Sequence, residues 1–115
     1  MRPADLVAYC RGLPHATEDI KWGKDLCFSI GGKMFAAFHT GNGNLPFGFK
    51  CTPEEFERLT AAEGIIPAPY AACFHWVSVT KRDALPLAAA RALVRESYEL
   101  VKAGLPKKKR AALAE

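Results

Sequence analysis

The stretch LCFSIGGKMFAAF, residues 26–38, decides the fold because it places two apolar segments on either side of a Gly-Gly pair. In the first segment Leu26, Phe28 and Ile30 alternate with smaller side chains, which is the period of a strand with one buried face. Both central positions of a two-residue hairpin turn adopt positive φ, which costs glycine nothing sterically. The stretch therefore predicts an antiparallel hairpin that turns at Gly31-Gly32.

Further strands are predicted on the C-terminal side of this hairpin. Phe47–Cys51 alternates again after a turn rich in glycine and asparagine at His39–Pro46, which extends the hairpin to a three-stranded meander. Phe74–Val79 is also typical of a strand. Ile65–Tyr70 contains two prolines, so it cannot be a central strand through its length.

Three helices are predicted around these strands. Pro3–Gly12 has helical spacing and Leu13–Asp19 has no sustained period, which predicts a helix followed by a loop. Thr52-Pro53-Glu54-Glu55 is a helix start with a capping residue, a proline at the first helical position and a capping box. The longest helix is predicted over Pro86–Ala103, and its inward face comprises Leu93, Val94, Ser97, Tyr98 and Val101.

The order is therefore helix, three strands, helix, one or two strands, helix. Antiparallel strands with helices segregated to one side form a two-layer α+β domain. We predict one such domain over residues 1–106, followed by a basic C-terminal tail over residues 107–115.

The tail carries the net charge of the whole chain. Lysine and arginine number 16 against 12 acidic residues, and 16 minus the four cations of residues 107–110 leaves 12 against 12. Such a tail is either a solvated, frayed terminus or an arm that makes weak, salt-sensitive contacts with phosphates.

Composition excludes several other classes of protein. No segment approaches the roughly 20 apolar residues of a membrane helix, and no apolar signal segment follows Met1, so we expect a cytoplasmic location. The four cysteines, Cys10, Cys27, Cys51 and Cys73, lack the close pairs that zinc ligands usually form. We expect reduced, buried thiols, with no metal and no cofactor.

No reaction centre emerges from the motifs. Gly31-Gly32-Lys33 lacks the remainder of a phosphate-binding loop, and at a hairpin tip Lys33 is placed to touch a backbone phosphate. Cys51 at a helix start is a nucleophile only if the fold brings His39 close. Glu54-Glu55 is explained by helix capping and Glu18-Asp19 by a solvated loop. We therefore predict a protein that is not an enzyme.

His75-Trp76 is the most distinctive dipeptide in the body of the chain. Because a strand alternates its faces, one of the two side chains faces inward and the other outward. An outward Trp76 stacks on a base or binds a partner. The alternative, favoured because large aromatic residues mostly lie in cores, is that Trp76 fills the core and His75 lies at the surface.

Short segments along nearly the whole chain resemble one family. They are Leu6–Cys10, Gly12–Pro14, Thr17–Asp19, Trp22-Gly23, Gly32–Ala36, Phe49–Cys51, Pro53-Glu54, Ile66-Pro67, His75–Val77, Ser97-Tyr98 and Leu105–Lys108. Together they resemble the MmcQ/YjbR family of small bacterial proteins. The resemblance implies an α-β(3)-α-β(2)-α fold similar to secretion chaperones. It also implies DNA binding, by analogy with a double-wing arrangement in which hairpins of the sheet contact DNA.

Two functions remain open from the sequence. Many relatives carry asparagine and basic residues just before His-Trp, whereas this chain has Ala71-Ala72-Cys73-Phe74, which weakens a DNA contact there. A positive stripe along the sheet would favour DNA; an apolar groove would favour a protein partner bound to the sheet face. The candidate DNA-binding residues are Lys33, Lys50, Trp76, Lys81, Arg82, Lys107, Lys108, Lys109 and Arg110.

Overall fold

The computed structural model describes residues 2–21, 25–39, 47–68 and 72–113. The helices in these ranges are α1 (Pro3–Arg11), α2 (Pro53–Thr60), α3 (Leu87–Ala103) and α4 (Lys107–Leu113), with one turn of 3₁₀ helix at Ala72–Phe74. The strands are β1 (Thr17–Lys21), β2 (Asp25–Ile30), β3 (Lys33–His39), β4 (Phe47–Lys50), β5 (Ile65–Pro67) and β6 (Trp76–Val79). No described helix is long and apolar enough to cross a membrane.

The six described strands form one sheet in the order β1-β2-β3-β4-β6-β5, and every neighbouring pair is antiparallel. The hairpin predicted between β2 and β3 is confirmed, since Gly31 and Gly32 have φ of 59° and 84°. These are the positive values that a two-residue hairpin turn requires. Ile65–Pro67 lies at an edge of the sheet, where proline is tolerated.

The loop predicted over Leu13–Asp19 is wrong from Thr17 onward. Thr17–Lys21 is an edge strand that pairs with β2, from Thr17 opposite Ser29 to Lys21 opposite Asp25. Four strands therefore precede α2, where three were predicted. The side chains of this strand are exposed on both faces apart from partly buried Lys21, so it lacks the alternating apolar pattern of a half-buried strand.

The core lies between one face of the sheet and the helices. Five phenylalanines fill its sheet side, with ring centroids 5.7 to 6.4 Å apart between neighbours: Phe28, Phe35, Phe38, Phe47 and Phe49. The predicted inward face of α3 is confirmed, because Leu93, Val94, Ser97, Tyr98 and Val101 are all buried. Leu6 of α1 and Leu59 of α2 complete the same core.

Ser97 joins α3 to the sheet by hydrogen bonds. The described β3–β4 ladder ends at the pair Ala36 and Phe49, so the next pair would be Phe35 and Lys50. The bulge in the β2–β3 pairing lies at the level of Phe35. The buried hydroxyl of Ser97 donates to the Phe35 carbonyl at 2.7 Å and accepts from the Lys50 amide at 2.9 Å. One side chain therefore satisfies the two backbone groups that the interrupted ladder leaves unpaired.

The predicted start of α2 is confirmed at its first turn. The Thr52 hydroxyl accepts a hydrogen bond from the Glu55 amide at 3.2 Å, and Pro53 occupies the first helical position. The carboxylate of Glu55 contacts Arg58 in the next turn. Thr52 therefore acts as the cap as predicted, whereas the Glu55 carboxylate pairs with Arg58 instead of completing the predicted capping box.

Candidate functional site

A groove of about 970 Å³ lies on the sheet face opposite the phenylalanine core. Phe47 and Phe49 of β4 face the core, so Gly48 and Lys50 face the other side, where they lie beside Ser78 and Trp76 of β6. The larger side chains along its wall include Asp25, Met34, His39, Lys50, Phe74 and Trp76. At the hairpin tip the groove includes Lys33 and reaches the last turn of α3.

Trp76 lies in this groove, so the prediction that it fills the core is wrong. Val77 and Val79 are the buried residues of β6, and Trp76 is half-buried on the opposite face. A Cβ atom on Gly48 would lie 3.6 Å from Cε3 of Trp76 and 3.1 Å from the Val77 carbonyl oxygen. A side chain at Gly48 would therefore crowd the Val77 carbonyl, whereas its contact with the indole would be an ordinary one.

His75, the other residue of the His75-Trp76 dipeptide, packs against α2. Its φ is 61°, a left-handed conformation that is uncommon outside glycine, and it directly precedes the strand. The His75 carbonyl accepts from the Cys51 amide at 2.9 Å and from the Cys51 thiol at 3.3 Å. The ring packs edge-on against Phe56, with centroids 5.7 Å apart. His75 is therefore half-buried rather than a surface residue.

Asp25 and His39 form a pair that the sequence analysis missed. His39 Nδ1 lies 2.8 Å from Asp25 Oδ1, and Asp25 is only 7% exposed. A two-residue turn alone would place Phe38 opposite Asp25. The bulge near Phe28 shifts the register by one residue and brings His39 there instead. The hairpin register is the sequence signal that relates Asp25 to the end of β3. Because of the bulge, that register indicates Phe38 instead of His39 as the partner of Asp25.

The four basic residues whose alignment along the sheet would favour DNA, Lys33, Lys50, Lys81 and Arg82, do not all line the groove. Lys33 and Lys50 line the groove, but Lys81 makes an ion pair with Glu63 at 2.7 Å outside it. Arg82 follows in the turn after β6 and does not line the groove either. The predicted basic residues therefore divide among separate surfaces.

A second surface, the basic end, adjoins the groove at Lys33 of the hairpin tip and adds the four exposed cations of α4, Lys107 to Arg110. Lys107–Leu113 is helical rather than frayed, and none of its residues is buried. Lys109 Nζ donates to the Gly31 carbonyl at 3.2 Å, and buried Leu105 packs on Gly31. Cations far apart in sequence therefore share one end of the molecule.

The cysteines show no catalytic arrangement. Burial raises the pKa of Cys10 to about 12, and burial with a smaller contribution from the Glu55 carboxylate raises that of Cys51 to about 11. Cys51 belongs to the core, whereas His39 lines the groove, so this proposed pair is not formed. Cys10, Cys27 and Cys51 are buried as predicted, but Cys73 is exposed, since it lies in the 3₁₀ turn.

The acidic pairs are also explained by structure. Glu18 contacts Arg11 at 2.7 Å, and this hydrogen bond lowers the pKa of the Glu18 carboxyl. Glu54 and Glu55 occupy the first turn of α2, where negative charge is favourable. Within the described ranges, no three histidine, cysteine or acidic side chains cluster in a way that would hold a metal ion.

The fold and groove define a small α+β protein in which the six described strands form an antiparallel sheet, with helices packed on one face and a groove on the other. The YjbR family model matches residues 11–100, and the chain belongs to this family. It is similar to the Deinococcus radiodurans protein DR2400, described as a DUF419 domain, with 32% identity and a TM-score of 0.86 over 97% of this chain and 87% of that one.

A second solved structure shows the same fold at lower identity. A Pseudomonas syringae protein is 22% identical, with a TM-score of 0.73 over 88% of this chain and 99% of its own. None of the curated proteins matches the sequence. The α+β architecture is therefore shared with both solved structures.

Proposed function

We propose that this chain is a non-enzymatic, cytoplasmic DNA-binding protein that contacts phosphates through its basic end. The observation that carries the proposal is the hydrogen bond from Lys109 to the Gly31 carbonyl, because it holds α4 against the hairpin tip that bears Lys33. A hairpin tip flanked by cations matches the contact implied by the double-wing analogy.

The charge distribution supports weak binding without sequence preference. Lys33 and the four cations of α4 are exposed, whereas the rest of the chain is close to neutral. Phosphate contacts orient a protein on DNA but carry no sequence information by themselves. Five contacts would give a salt slope of about −4.5, at about −0.9 per neutralised phosphate on duplex DNA.

The absence of enzymatic activity is part of the same proposal. The Cys51 thiol is buried with a raised pKa, and the two acidic pairs serve an ion pair and a helix start. These observations support a binding role, since each predicted catalytic group has a structural role instead.

Fluorescence anisotropy on duplexes of several sequences, at stepped salt, tests the proposal. The variant Lys107→Ala/Lys108→Ala/Arg110→Ala keeps the anchoring Lys109 and replaces three cations with a strong helix former. We expect weaker binding and a salt slope shallower by up to about 2.7. Lys33→Ala should reduce the slope by up to about 0.9.

Lys81→Ala is the matched control, because Lys81 is paired with Glu63 away from the basic end. It should leave affinity and slope unchanged. Full-length protein that binds no duplex at low salt would refute DNA binding. If Lys81→Ala weakened binding as much as the triple variant of α4, the assignment of the DNA contact to the basic end would be wrong.

A further inference from the structure

The groove contains exposed apolar side chains that DNA binding at the basic end does not use. Phe74 is 62% exposed, and Trp76 and Met34, which line the same groove, are half-buried. Contiguous exposed apolar surface on a small protein marks an interaction site. Tryptophan is also the residue type most enriched among those that dominate binding energy at interfaces.

The charges that line the groove favour an acidic partner. Lys33 and Lys50 both line it, and the structure gives neither ammonium a carboxylate partner within the described residues. Asp25 is the single acidic residue among the described lining, and its Oδ1 atom is already held by His39. A carboxylate entering the groove therefore meets uncompensated positive charge.

We propose that the groove binds an extended segment of a protein partner in which a large apolar residue and an acidic residue alternate as i and i+2. Trp76 and Lys50 are directly opposite each other on β6 and β4. Opposed residues have Cβ atoms about 5 Å apart, and side chains at i and i+2 of an extended segment are about 6.6 Å apart on one face. The apolar residue lies on Trp76 and the acidic residue on Lys50.

The apolar lining argues against nucleic acid as the occupant. A single strand carries one phosphate per nucleotide, yet this groove of about 970 Å³ offers two lysines and also contains Asp25. Strand-binding grooves instead follow the backbone with positive charge along their length. Alternating apolar and acidic side chains match the lining better.

The backbone beneath both binding positions is held in place before the partner arrives. The Lys50 amide is fixed by Ser97 at 2.9 Å, and the Trp76 indole lies beside Gly48 without an intervening side chain. A site that needs little reordering loses less entropy on association.

A display library of random octapeptides, selected on the intact protein, tests this inference. Enriched peptides should carry a large apolar residue two positions from aspartate or glutamate. Measured by fluorescence anisotropy with the synthetic peptides, Trp76→Ala should weaken binding about tenfold or more. Lys50→Glu should also weaken binding of the acidic peptide. A peptide in which lysine replaces the acidic residue should bind the Lys50→Glu variant again. Lys81→Glu is the control and should leave affinity unchanged.

Three results would overturn the inference: no enrichment over background, enriched peptides without acidic residues, or affinities that Trp76→Ala and Lys50→Glu both leave unchanged. Displacement of the peptide by single-stranded DNA, with loss of that DNA binding in Trp76→Ala, would assign the groove to nucleic acid instead. Circular dichroism confirms that each variant is folded; the charge exchange at Lys50 tests the site even if Trp76→Ala fails to fold. The triple variant of α4, Lys107→Ala/Lys108→Ala/Arg110→Ala, changes no residue that lines the groove. It should therefore lose DNA binding and keep peptide binding, which distinguishes failure of one proposal from failure of the other.

Discussion

Replacing Gly31 with alanine tests how the segment after α3 packs on the hairpin tip. Gly31 has φ of 59°, and an added Cβ would lie 2.5 Å from Cδ1 and 3.0 Å from Cδ2 of Leu105. The left-handed conformation costs a non-glycine residue about 1–2 kcal/mol, and overpacking adds about 1–3 kcal/mol. We expect the free energy of unfolding to fall by roughly 2–4 kcal/mol after allowing for the reduced entropy of the unfolded chain.

Gly32→Ala is the matched control, because Gly32 also has positive φ, 84°, but the nearest atom to its added Cβ is Lys109 Nζ at 3.8 Å. This variant carries the backbone cost alone, about 1 kcal/mol. Urea unfolding followed by circular dichroism measures both losses. Equal losses at Gly31 and Gly32 would show that Leu105 does not press on the turn.

A double-mutant cycle with Leu105→Ala isolates the steric contribution. Removing buried Leu105 costs stability by itself, about 2–5 kcal/mol. In that background Gly31→Ala should cost no more than Gly32→Ala, which gives a coupling of about 1–3 kcal/mol. A coupling near zero would refute the predicted collision. Ligand or DNA is absent from this assay, so the result concerns packing alone.

Three further predictions concern the buried Ser97 hydroxyl and the cysteine thiols. Ser97→Ala should lower the free energy of unfolding by about 2–4 kcal/mol, because the Lys50 amide and Phe35 carbonyl both lose their partner; a loss below about 1 kcal/mol in urea unfolding would contradict the bridge. An aromatic disulfide reagent should modify the exposed Cys73 rapidly in the native protein and the other three thiols only on unfolding. Fast reaction of two or more thiols would contradict the burial of Cys10, Cys27 and Cys51. The Cys10 thiol has a pKa of 9.0 in the unfolded chain and about 12 in the folded protein. Below pH 9 both states hold the proton, so this thiol leaves the free energy of unfolding unchanged. Between pH 9 and 12 only the folded state holds it, so the free energy of unfolding falls as the pH rises.

The elements predicted correctly from the sequence are those encoded by local chemistry. Gly31-Gly32 determines a turn because two positive φ values occur together, and Thr52-Pro53 determines a helix start because the cap and the proline act within one turn. Ser97 and Tyr98 fall on the inward face of α3 because the helical period alone places them there. None of these inferences requires knowledge of distant contacts.

The groove depends on distant contacts and could not be predicted in the same way. His39 faces Asp25 only because a bulge shifts the register, and Trp76 faces outward from a strand that begins after the left-handed His75. The docking of α4 depends on Lys109 reaching Gly31, which is 78 residues away in the sequence. In each case a tertiary contact, rather than a local preference, decides where the side chain lies.

The two edges of the sheet also determine how the molecule behaves at high concentration. An unpaired edge strand is a template on which another chain can add by main-chain hydrogen bonds. β1 carries Glu18, Asp19 and Lys21 along its edge, and β5 is three residues long and ends at Pro67. Both features oppose the addition of a strand from a second molecule at the sheet edges. They therefore protect a protein with an exposed Phe74 from self-assembly through its strands.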